Sequence, residues 1–197
     1  MPIKIYYKNT SHDFPDGGIF TQYLDSLKIG ESVEIAGPSG KTTYLGGGLF
    51  QHKPTEEKEE EEKKKETQVR KAKNIGLICG GTGITPCFQL LQYCTTQNEN
   101  LNFSLLYANK TENDILLRPI LDEFTAERLI HTYFVLEKPP ENWSMGVGLI
   151  TSEHIKSRMP PPDKETLIFH CGSKAMNGLV RSLLLECGYT ENMLIKF

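Results

Sequence analysis

The first quarter of the chain alternates apolar and polar positions in the manner of short strands. Residues 2–8 have this two-residue period, and residues 32–36 and 42–45 are predicted as further strands. Between them, residues 20–27 place apolar side chains on one face at helical spacing. This part of the chain therefore predicts short strands, turns and one short amphipathic helix.

From residue 75 onward, apolar strands alternate with amphipathic helices. The predicted strands are residues 75–79, 101–108, 131–136, 166–170 and 193–197. Four helices are predicted between these strands. The first begins at Pro86, and the second runs through Leu117, Leu121 and Phe124 after a cap at Thr111 or Asn113. The third is short and passes through Ile155, and the fourth spans Ala175 to Cys187. This rhythm predicts a parallel sheet with helices on both faces and a ligand at the carboxyl ends of the strands.

The first of these strands runs into a glycine-rich turn. Gly80, Gly81 and Gly83 occur within four positions around Thr82, and Pro86 follows where a helix begins. The amides of a helix N-terminus suit a phosphate, so the turn is a candidate nucleotide site. The spacing also fits an ordinary strand–helix turn that needs its glycines for geometry alone.

Composition narrows the possible functions. The 197 residues have a net charge of −3, with acids and bases mixed, which gives no indication of nucleic-acid binding. No apolar run approaches the roughly 20 residues of a membrane span, and no signal-peptide core is visible. Five cysteines without a C-x-x-C spacing favour a reducing compartment over disulfides or a metal site.

The string GGTGITP, from Gly80 to Pro86, resembles the nicotinamide-binding turn of the ferredoxin-reductase-like flavoproteins. The nearest branch is NADH–cytochrome b5 reductase, with the reductase portion of nitrate reductase beside it. The segment Tyr107–Pro119 resembles the family segment after the next strand. Cys171, Gly172 and Met176 resemble its C-terminal C-G-x-x-x-M motif, and the closing Phe197 is similar to a family habit of ending on an aromatic residue.

The resemblance implies a fold class and a division of the chain. Residues 74–197 would form a parallel-sheet, α/β nicotinamide-binding domain of the ferredoxin-reductase type. Residues 1–52 would be the last part of an antiparallel FAD-binding β-barrel. Residues 53–73, with Glu59–Glu62 followed by Lys63–Lys65, are predicted to be a solvated charged linker.

The resemblance also implies roles for single residues. The cofactor-binding residues on the flavin side would be Lys4, Tyr6, Gly17, Gly18 and Thr21, with Lys4 near the nicotinamide. Those for NADH would be Gly80, Gly81, Thr82, Gly83, Thr85, Glu137, Cys171, Gly172, Met176 and Phe197. Cys171 and Thr82 are the predicted catalytic residues, and Glu137 would favour NADH by repelling a 2′-phosphate.

From the residues alone, each of these roles has an alternative. Gly17 and Gly18 fit a plain turn, and Lys4 fits an exposed strand lysine. Glu137 fits a surface position, and Cys171 fits a small buried side chain at a strand end. Thr82 and Thr85 have hydroxyls that can bond their own backbone instead of a cofactor.

Two departures from the family pattern stand out. The usual C-G-P-P-x-M becomes Cys171-Gly-Ser-Lys-Ala-Met176, which predicts a looser loop with an added charge at Lys174. The Arg-x-Tyr-Ser/Thr motif that grips the flavin is absent from the sequence. Half a barrel would leave unpaired strand edges and open apolar surface, so we expect another protein chain to complete it.

The resemblance therefore implies an oxidoreductase subunit that passes electrons from NADH through FAD to a haem protein such as cytochrome b5. The alternatives are a catalytically inactive accessory subunit that keeps the reductase fold, and an ordinary reductase of which this sequence is a part. The expected location is an intracellular, reducing compartment, either cytoplasmic or attached to a mitochondrial or other membrane complex. No metal, nucleic-acid partner or transmembrane segment of its own is predicted.

Overall fold

The computed structural model describes residues 3–10, 12, 14–37, 39–53 and 68–197. The chain divides into two compact units, residues 1–39 and residues 40–197. The charged run Glu59–Lys65, predicted to be a solvated linker, lies outside the described residues.

The first unit contains one regular element among its described residues, helix α1 (Ile19–Ser26). This confirms the predicted amphipathic helix, although none of its side chains is fully buried. The predictions of strands at residues 2–8 and 32–36 are wrong for the described residues, because no strand is present at 3–8 or 32–36. An extended segment becomes a strand only when a neighbour accepts and donates its backbone hydrogen bonds, and apolar alternation cannot supply that neighbour.

Large apolar side chains of the first unit remain in contact with solvent. They are Phe14, Ile19, Phe20, Tyr23, Ile29 and Ile35, and Ile19 is 84% exposed. Exposed large apolar side chains in this number are uncommon at a free protein surface and suit an interaction surface.

The second unit begins with a small antiparallel sheet in the order β1 (Thr42–Gly46), β2 (Leu49–His52) and β3 (Gln68–Lys71). Strand β1 confirms the prediction for residues 42–45. Strand β2 was not predicted, and β3 lies in the segment predicted to be a linker. Only the pairing with β2 defines β3, since most of its side chains are exposed and leave no apolar alternation in the sequence.

The large sheet confirms the predicted parallel α/β domain. Its strands are β4 (Asn74–Gly80), β5 (Asn102–Asn109), β6 (Ile130–Leu136), β7 (Gly146–Val147), β8 (Thr166–Cys171) and β9 (Leu194–Lys196). They pair in the order β7-β6-β5-β4-β8-β9, and every pairing is parallel.

Four helices of the described residues cover this sheet: α2 (Ile84–Thr96), α3 (Arg118–Ala126), α4 (Ser152–Arg158) and α5 (Lys174–Glu186). Two separate apolar clusters form the core, because successive strand side chains point to opposite faces. One cluster joins Leu77 of β4 to Leu91 of α2 and Leu121 of α3. The other joins Ile78 to Ile155 of α4 and Val180 of α5. The helices therefore lie on both faces, as predicted.

The start of α3 differs from the prediction. Thr111 caps a single 3-10 turn at Glu112–Asp114, where the Asp114 carboxylate accepts hydrogen bonds from the Thr111 N–H and hydroxyl. Helix α3 begins only at Arg118, after Leu117 in a left-handed conformation with φ 60°. Because Asp114 closes this local turn, the predicted cap at Thr111 belongs to the 3-10 turn and not to α3.

A chain of aromatic rings joins the small sheet to the large one. The Phe50 ring of β2 lies 5.2 Å from the Phe169 ring of β8, and Phe197 stacks on Phe169 at the same separation. Tyr44 of β1 lies 4.8 Å from Phe50. Phe50 is 1% exposed, so it is the apolar anchor of the small sheet.

Replacing Phe50 with alanine should lower the free energy of unfolding by about 3 to 5 kcal/mol, because the buried ring leaves a cavity between the two sheets. Leu49→Ala, at the exposed neighbouring position of the same strand, should cost about 1 kcal/mol or less. Urea unfolding followed by circular dichroism measures both variants. Equal losses would contradict the assignment of Phe50 as the anchor.

Candidate nucleotide-binding site

The order of the large sheet places a topological switch point between β4 and β8. From β4 the chain proceeds through β5, β6 and β7 on one side, then returns to β8 and β9 on the other. Connections leaving the two central strands in opposite directions open a crevice at their carboxyl ends, where doubly wound proteins bind nucleotides. Cys79 of β4 lies directly opposite Cys171 of β8. The predicted Gly80–Thr82 and Cys171–Gly172 segments therefore lie side by side at this crevice.

The glycine-rich turn leaves space for a ligand at its exposed side. Gly81–Gly83 form a 3-10 turn that leads into α2, and Pro86 lies in the first turn of α2 as predicted. Gly81 has φ +52°, and no heavy atom of the described residues lies within 4 Å of the point where a Cβ would stand. Among the described residues, no side chain caps the start of α2, and its first turn carries no acid. The amides of this turn can therefore receive an anionic group.

The opposite side of the turn is closely packed. A Cβ on Gly83 would lie 2.1 Å from the Cys171 carbonyl oxygen. A Cβ on Gly80 or Gly172 would lie 2.2 or 2.5 Å from the sulfur of Met176. Met176, in the first turn of α5, thus packs between the two glycine turns and holds them together.

Tyr107 supports the turn from the neighbouring strand. Its hydroxyl donates a hydrogen bond of 2.8 Å to the Gly81 carbonyl oxygen, and its ring is fully buried. Burial raises the pKa of Tyr107, so the phenol keeps the proton that it donates. Sequence gives no signal for this role of Tyr107, because a tyrosine in an apolar strand is indistinguishable from a core residue.

The two threonines of the turn differ in their surroundings. The Thr85 hydroxyl donates to the Thr82 carbonyl oxygen at 3.0 Å, so it bonds its own backbone. The Thr82 side chain is exposed at the crevice. Of the two hydroxyls, that of Thr82 is the better placed to meet a ligand.

Glu137 lies at the same edge of the sheet, directly after β6. Its N–H donates to the Asn109 carbonyl oxygen at the end of β5, and its side chain is exposed. The strands β8, β4, β5 and β6 are consecutive, and the register places Phe134 level with Cys171. Glu137 therefore lies three inter-strand steps from Cys171, about 14 Å across the sheet, and three residues farther along the strand direction. The glycine turn lies between them. This arrangement of Cys171, the glycine turn and Glu137 along one edge suits an extended ligand that has its anionic group in the middle.

Cys171 is a protonated, half-buried thiol. Burial, reinforced by the neighbouring Cys87 thiol, raises its pKa, while Lys196 acts in the opposite direction. A thiol in this state is a poor nucleophile. All five cysteines are free, as the sequence predicted.

Phe197 is fixed beside the same strand end. Its N–H donates to the His170 carbonyl oxygen at 3.1 Å, and its ring stacks on Phe169. The ring is 37% exposed. Phe197 therefore lies beside Cys171 at the end of the neighbouring strand, and the exposed part of its ring is available to a ligand.

His170 and Asn177 form a buried polar pair that the sequence analysis missed. His170 is 3% exposed and Asn177 is 8% exposed, and their Nδ1 and Oδ1 atoms lie 2.9 Å apart. Burial lowers the pKa of His170; Lys196 and Arg181 lower it further, whereas the Asn177 hydrogen bond and Glu191 raise it. The pattern of apolar residues in β8 conceals this histidine, because nothing near it in sequence indicates a polar partner.

In the first unit, the structure brings together the residues assigned to the flavin. The Gly18 N–H donates to the Tyr6 carbonyl oxygen at 2.8 Å, and the Tyr6 N–H donates to the Thr21 hydroxyl oxygen at 3.3 Å. Gly17 has φ +68°, and a Cβ there would lie 2.4 Å from the Tyr6 carbonyl oxygen. Lys4 carries its ammonium group 5.9 Å from the Tyr6 ring.

These contacts already use part of the expected phosphate-binding groups. The Gly18 N–H has a protein acceptor, and the Thr21 hydroxyl donates to the Gly18 carbonyl oxygen at 3.1 Å. The following amides at the start of α1 have no acceptor within the helix and are the donors left for a phosphate.

Within residues 3–10, 12, 14–37, 39–53 and 68–197, no group of three or more histidine, cysteine or acidic residues is arranged to hold a metal ion. No helix of the described chain combines the length and apolar character needed to cross a membrane.

Comparison with known proteins agrees with this architecture. The model of the oxidoreductase NAD-binding domain matches residues 77–182, and the model of the oxidoreductase FAD-binding domain matches residues 1–44. The cytochrome b5 reductase domain of Ulva prolifera nitrate reductase superimposes with a TM-score of 0.88 at 28% identity, covering 99% of this chain and 71% of that chain. The fold and site thus define a protein of the ferredoxin-reductase type, with an NAD-binding domain and a segment that matches an FAD-binding domain.

Curated relatives identify the branch. NADH-cytochrome b5 reductase 2 of Homo sapiens is 37% identical over 199 residues, covering 99% of this chain and 70% of the relative. That of Gallus gallus is 42% identical over 177 residues, covering 88% of this chain. The chain belongs to the NADH–cytochrome b5 reductase family. It spans 56% of the Gallus gallus relative and 64% of the relative from Xenopus laevis.

The residues present fit a nicotinamide dinucleotide. The open cradle at Gly81, the uncapped start of α2 and the exposed Thr82 provide amides and space for a diphosphate. On the flavin side, the start of α1 has no side-chain cap, and its amides fit a phosphate group of FAD.

Gly83→Ala should lower the free energy of unfolding by about 1 to 3 kcal/mol, because the new methyl group would collide with the Cys171 carbonyl oxygen. The matched control is Gly178→Ala in α5, where the Cβ meets no atom of the described residues within 4 Å. That control should instead raise the free energy of unfolding by about 0.5 to 1 kcal/mol. Chemical denaturation of both variants measures the difference, and a neutral Gly83→Ala would show that the two turns do not pack as described.

The pH dependence of stability should report on His170. The unfolded chain binds this proton near pH 6.5, whereas the folded chain binds it only at lower pH. The free energy of unfolding should therefore fall as the pH drops below about 6.5, since protons then favour the unfolded chain. His170→Asn should reduce this slope. Denaturation series between pH 5 and pH 8, values chosen to span about the ordinary titration range of histidine, compare the two proteins.

Proposed function

We propose that this chain is the nucleotide-binding part of an NADH-dependent reductase that passes electrons through FAD to a haem protein such as cytochrome b5. The observation that carries the proposal is the topological switch point between β4 and β8, where Cys79 pairs with Cys171 and no heavy atom of the described residues lies within 4 Å of the Cβ position of Gly81. A flat or filled edge at this place would not admit a dinucleotide.

Within this site, the chain binds and orients its ligand. The amides of the Gly81–Gly83 turn and the start of α2 hold the diphosphate. Cys171 and Thr82 contact the nicotinamide end, and Glu137 hydrogen-bonds the adenosine ribose at the other end. Phe197 and Met176 limit the space at the strand ends. When bound, NADH supplies a hydride and FAD passes its electrons on one at a time.

On the flavin side, Lys4, Tyr6, Gly17, Gly18 and Thr21 form the part of the FAD site that this chain carries. We propose that another protein chain completes the flavin side by packing on this unit. The exposed apolar side chains of the first unit, such as Ile19 and Ile35, support this proposal because they form a surface that other strands can cover.

A second candidate is an accessory subunit that keeps the fold and has lost the chemistry. The observation in its favour is the replacement of the C-G-P-P-x-M pattern by Cys171-Gly-Ser-Lys-Ala-Met176. In both cases the five free thiols suit a reducing, intracellular compartment, cytoplasmic or attached to a mitochondrial or other membrane complex.

The flavin content of the native material separates the two candidates. The chain is purified with whatever polypeptide accompanies it, and its mass, visible absorbance and NADH oxidation are measured. A yellow complex that oxidises NADH supports the reductase. A colourless complex that still contains a second polypeptide supports the accessory subunit, and a stable, colourless monomer contradicts the requirement for a completing chain.

Nucleotide preference tests the role of Glu137. The chain should bind NADH at least about tenfold more tightly than NADPH, because the Glu137 carboxylate repels a 2′-phosphate. Glu137→Gln should reduce this preference, whereas Glu141→Gln, an exposed glutamate four residues farther on, should leave it unchanged. Fluorescence titration with both nucleotides measures the ratio. Equal binding of NADH and NADPH by the unmodified chain would count against the assignment.

A further inference from the structure

We propose that Asn177 is a positioning residue for the candidate nicotinamide site: its amide joins the His170 ring to the Gly172 carbonyl oxygen and so fixes Cys171 between them. The Asn177 Nδ2 group donates to the Gly172 carbonyl oxygen at 2.9 Å. Its Oδ1 lies 2.9 Å from His170 Nδ1. One side chain of α5 therefore bonds the residue before Cys171 and the residue after it.

The direction of each hydrogen bond follows from the chemistry of the groups. Only the NH2 group of an amide can donate to the Gly172 carbonyl oxygen, so the Asn177 oxygen must face His170. The imidazole must then carry its hydrogen on Nδ1 and donate it. In this tautomer the histidine donates to the amide oxygen while the amide nitrogen donates to Gly172, so both polar ends of the amide have a partner, which suits a pair that is almost fully buried.

The peptide of Cys171 is held from a second direction. Its carbonyl oxygen lies against Gly83, where no Cβ can fit. Asn177 therefore fixes the Cys171–Gly172 turn on the α5 side, and the glycine turn fixes it on the α2 side. The position of the thiol at the crevice depends on both.

This arrangement replaces the stiffness expected from prolines. The family pattern places two prolines after the Cys-Gly pair, where this chain has Ser173 and Lys174. Their loss predicted a loose loop. Instead, the Ser173 hydroxyl accepts a hydrogen bond from the Met176 N–H at 3.2 Å, and the Asn177 amide holds the Gly172 carbonyl. Side-chain hydrogen bonds thus order the turn in which prolines would have restricted φ.

The test is the alkylation rate of Cys171 by iodoacetamide in the full folded chain, measured by mass spectrometry. Asn177→Leu should raise this rate at least about threefold, because local opening of the turn exposes the thiol. The matched control is Thr166→Val at the opposite end of the same strand. It removes the partly buried hydrogen bond of 2.9 Å that the Thr166 hydroxyl donates to the Pro161 carbonyl oxygen. It should leave the Cys171 rate unchanged, and the buried Cys94 should react no faster in either variant.

A second pair of variants decides the question if Asn177→Leu does not fold. His170→Asn places an amide donor where Nδ1 stands and should retain the wild-type alkylation rate of Cys171, whereas His170→Leu should raise that rate as the loss of Asn177 does. Equal Cys171 rates in the leucine variants and the wild type would overturn the proposal. So would a parallel rise at Cys94, which would show general unfolding and no specific effect on the turn.

The consequence for NADH rests on the proposed function, and the two can fail separately. Asn177→Leu should weaken NADH binding, measured by titration, while Thr166→Val should not. If the wild-type chain does not bind NADH at all, the proposed function fails. The alkylation experiment uses no nucleotide and still decides whether Asn177 positions Cys171.

Discussion

The parallel pairing of β4 with β8 is the contact on which the candidate site depends. It places Cys79 opposite Cys171 and brings two chain segments, about 90 residues apart in sequence, to one edge of the sheet. Because Gly83 has no side chain, α2 can approach the Cys171 carbonyl oxygen closely. Without this approach, the glycine turn and the Cys-Gly turn would be separate loops.

The same edge combines open and closed packing. The inner side of the two turns is filled by the Met176 side chain and by the hydroxyl of Tyr107, whereas the outer side at Gly81 is empty of protein atoms among the described residues. A rigid inner side keeps the amides in place, and an open outer side admits a ligand. Both properties are needed for a site that binds one orientation of a dinucleotide.

The two units differ in how completely their apolar residues are buried. The second unit covers both faces of its sheet with helices and has two apolar clusters. The first unit has a helix with no fully buried side chain and several exposed large apolar residues. This contrast agrees with the family comparison, in which the match to the FAD-binding domain covers only residues 1–44. The chain therefore contains a well-packed nucleotide domain and a smaller part of a flavin domain.

The sequence by itself determined the elements whose signals are local. The apolar strands and amphipathic helices after residue 75, the glycine turn and its motif predicted the parallel sheet and the family. Only the tertiary structure decided the features that depend on distant partners. Strand β3 forms because it pairs with β2, and residues 3–8 form no strand in the described chain. The Tyr107 hydroxyl bonds the Gly81 carbonyl oxygen on a different segment of the chain. The His170–Asn177 pair belongs to the same class, because hydrogen-bond partners on different elements leave no periodic trace in the sequence.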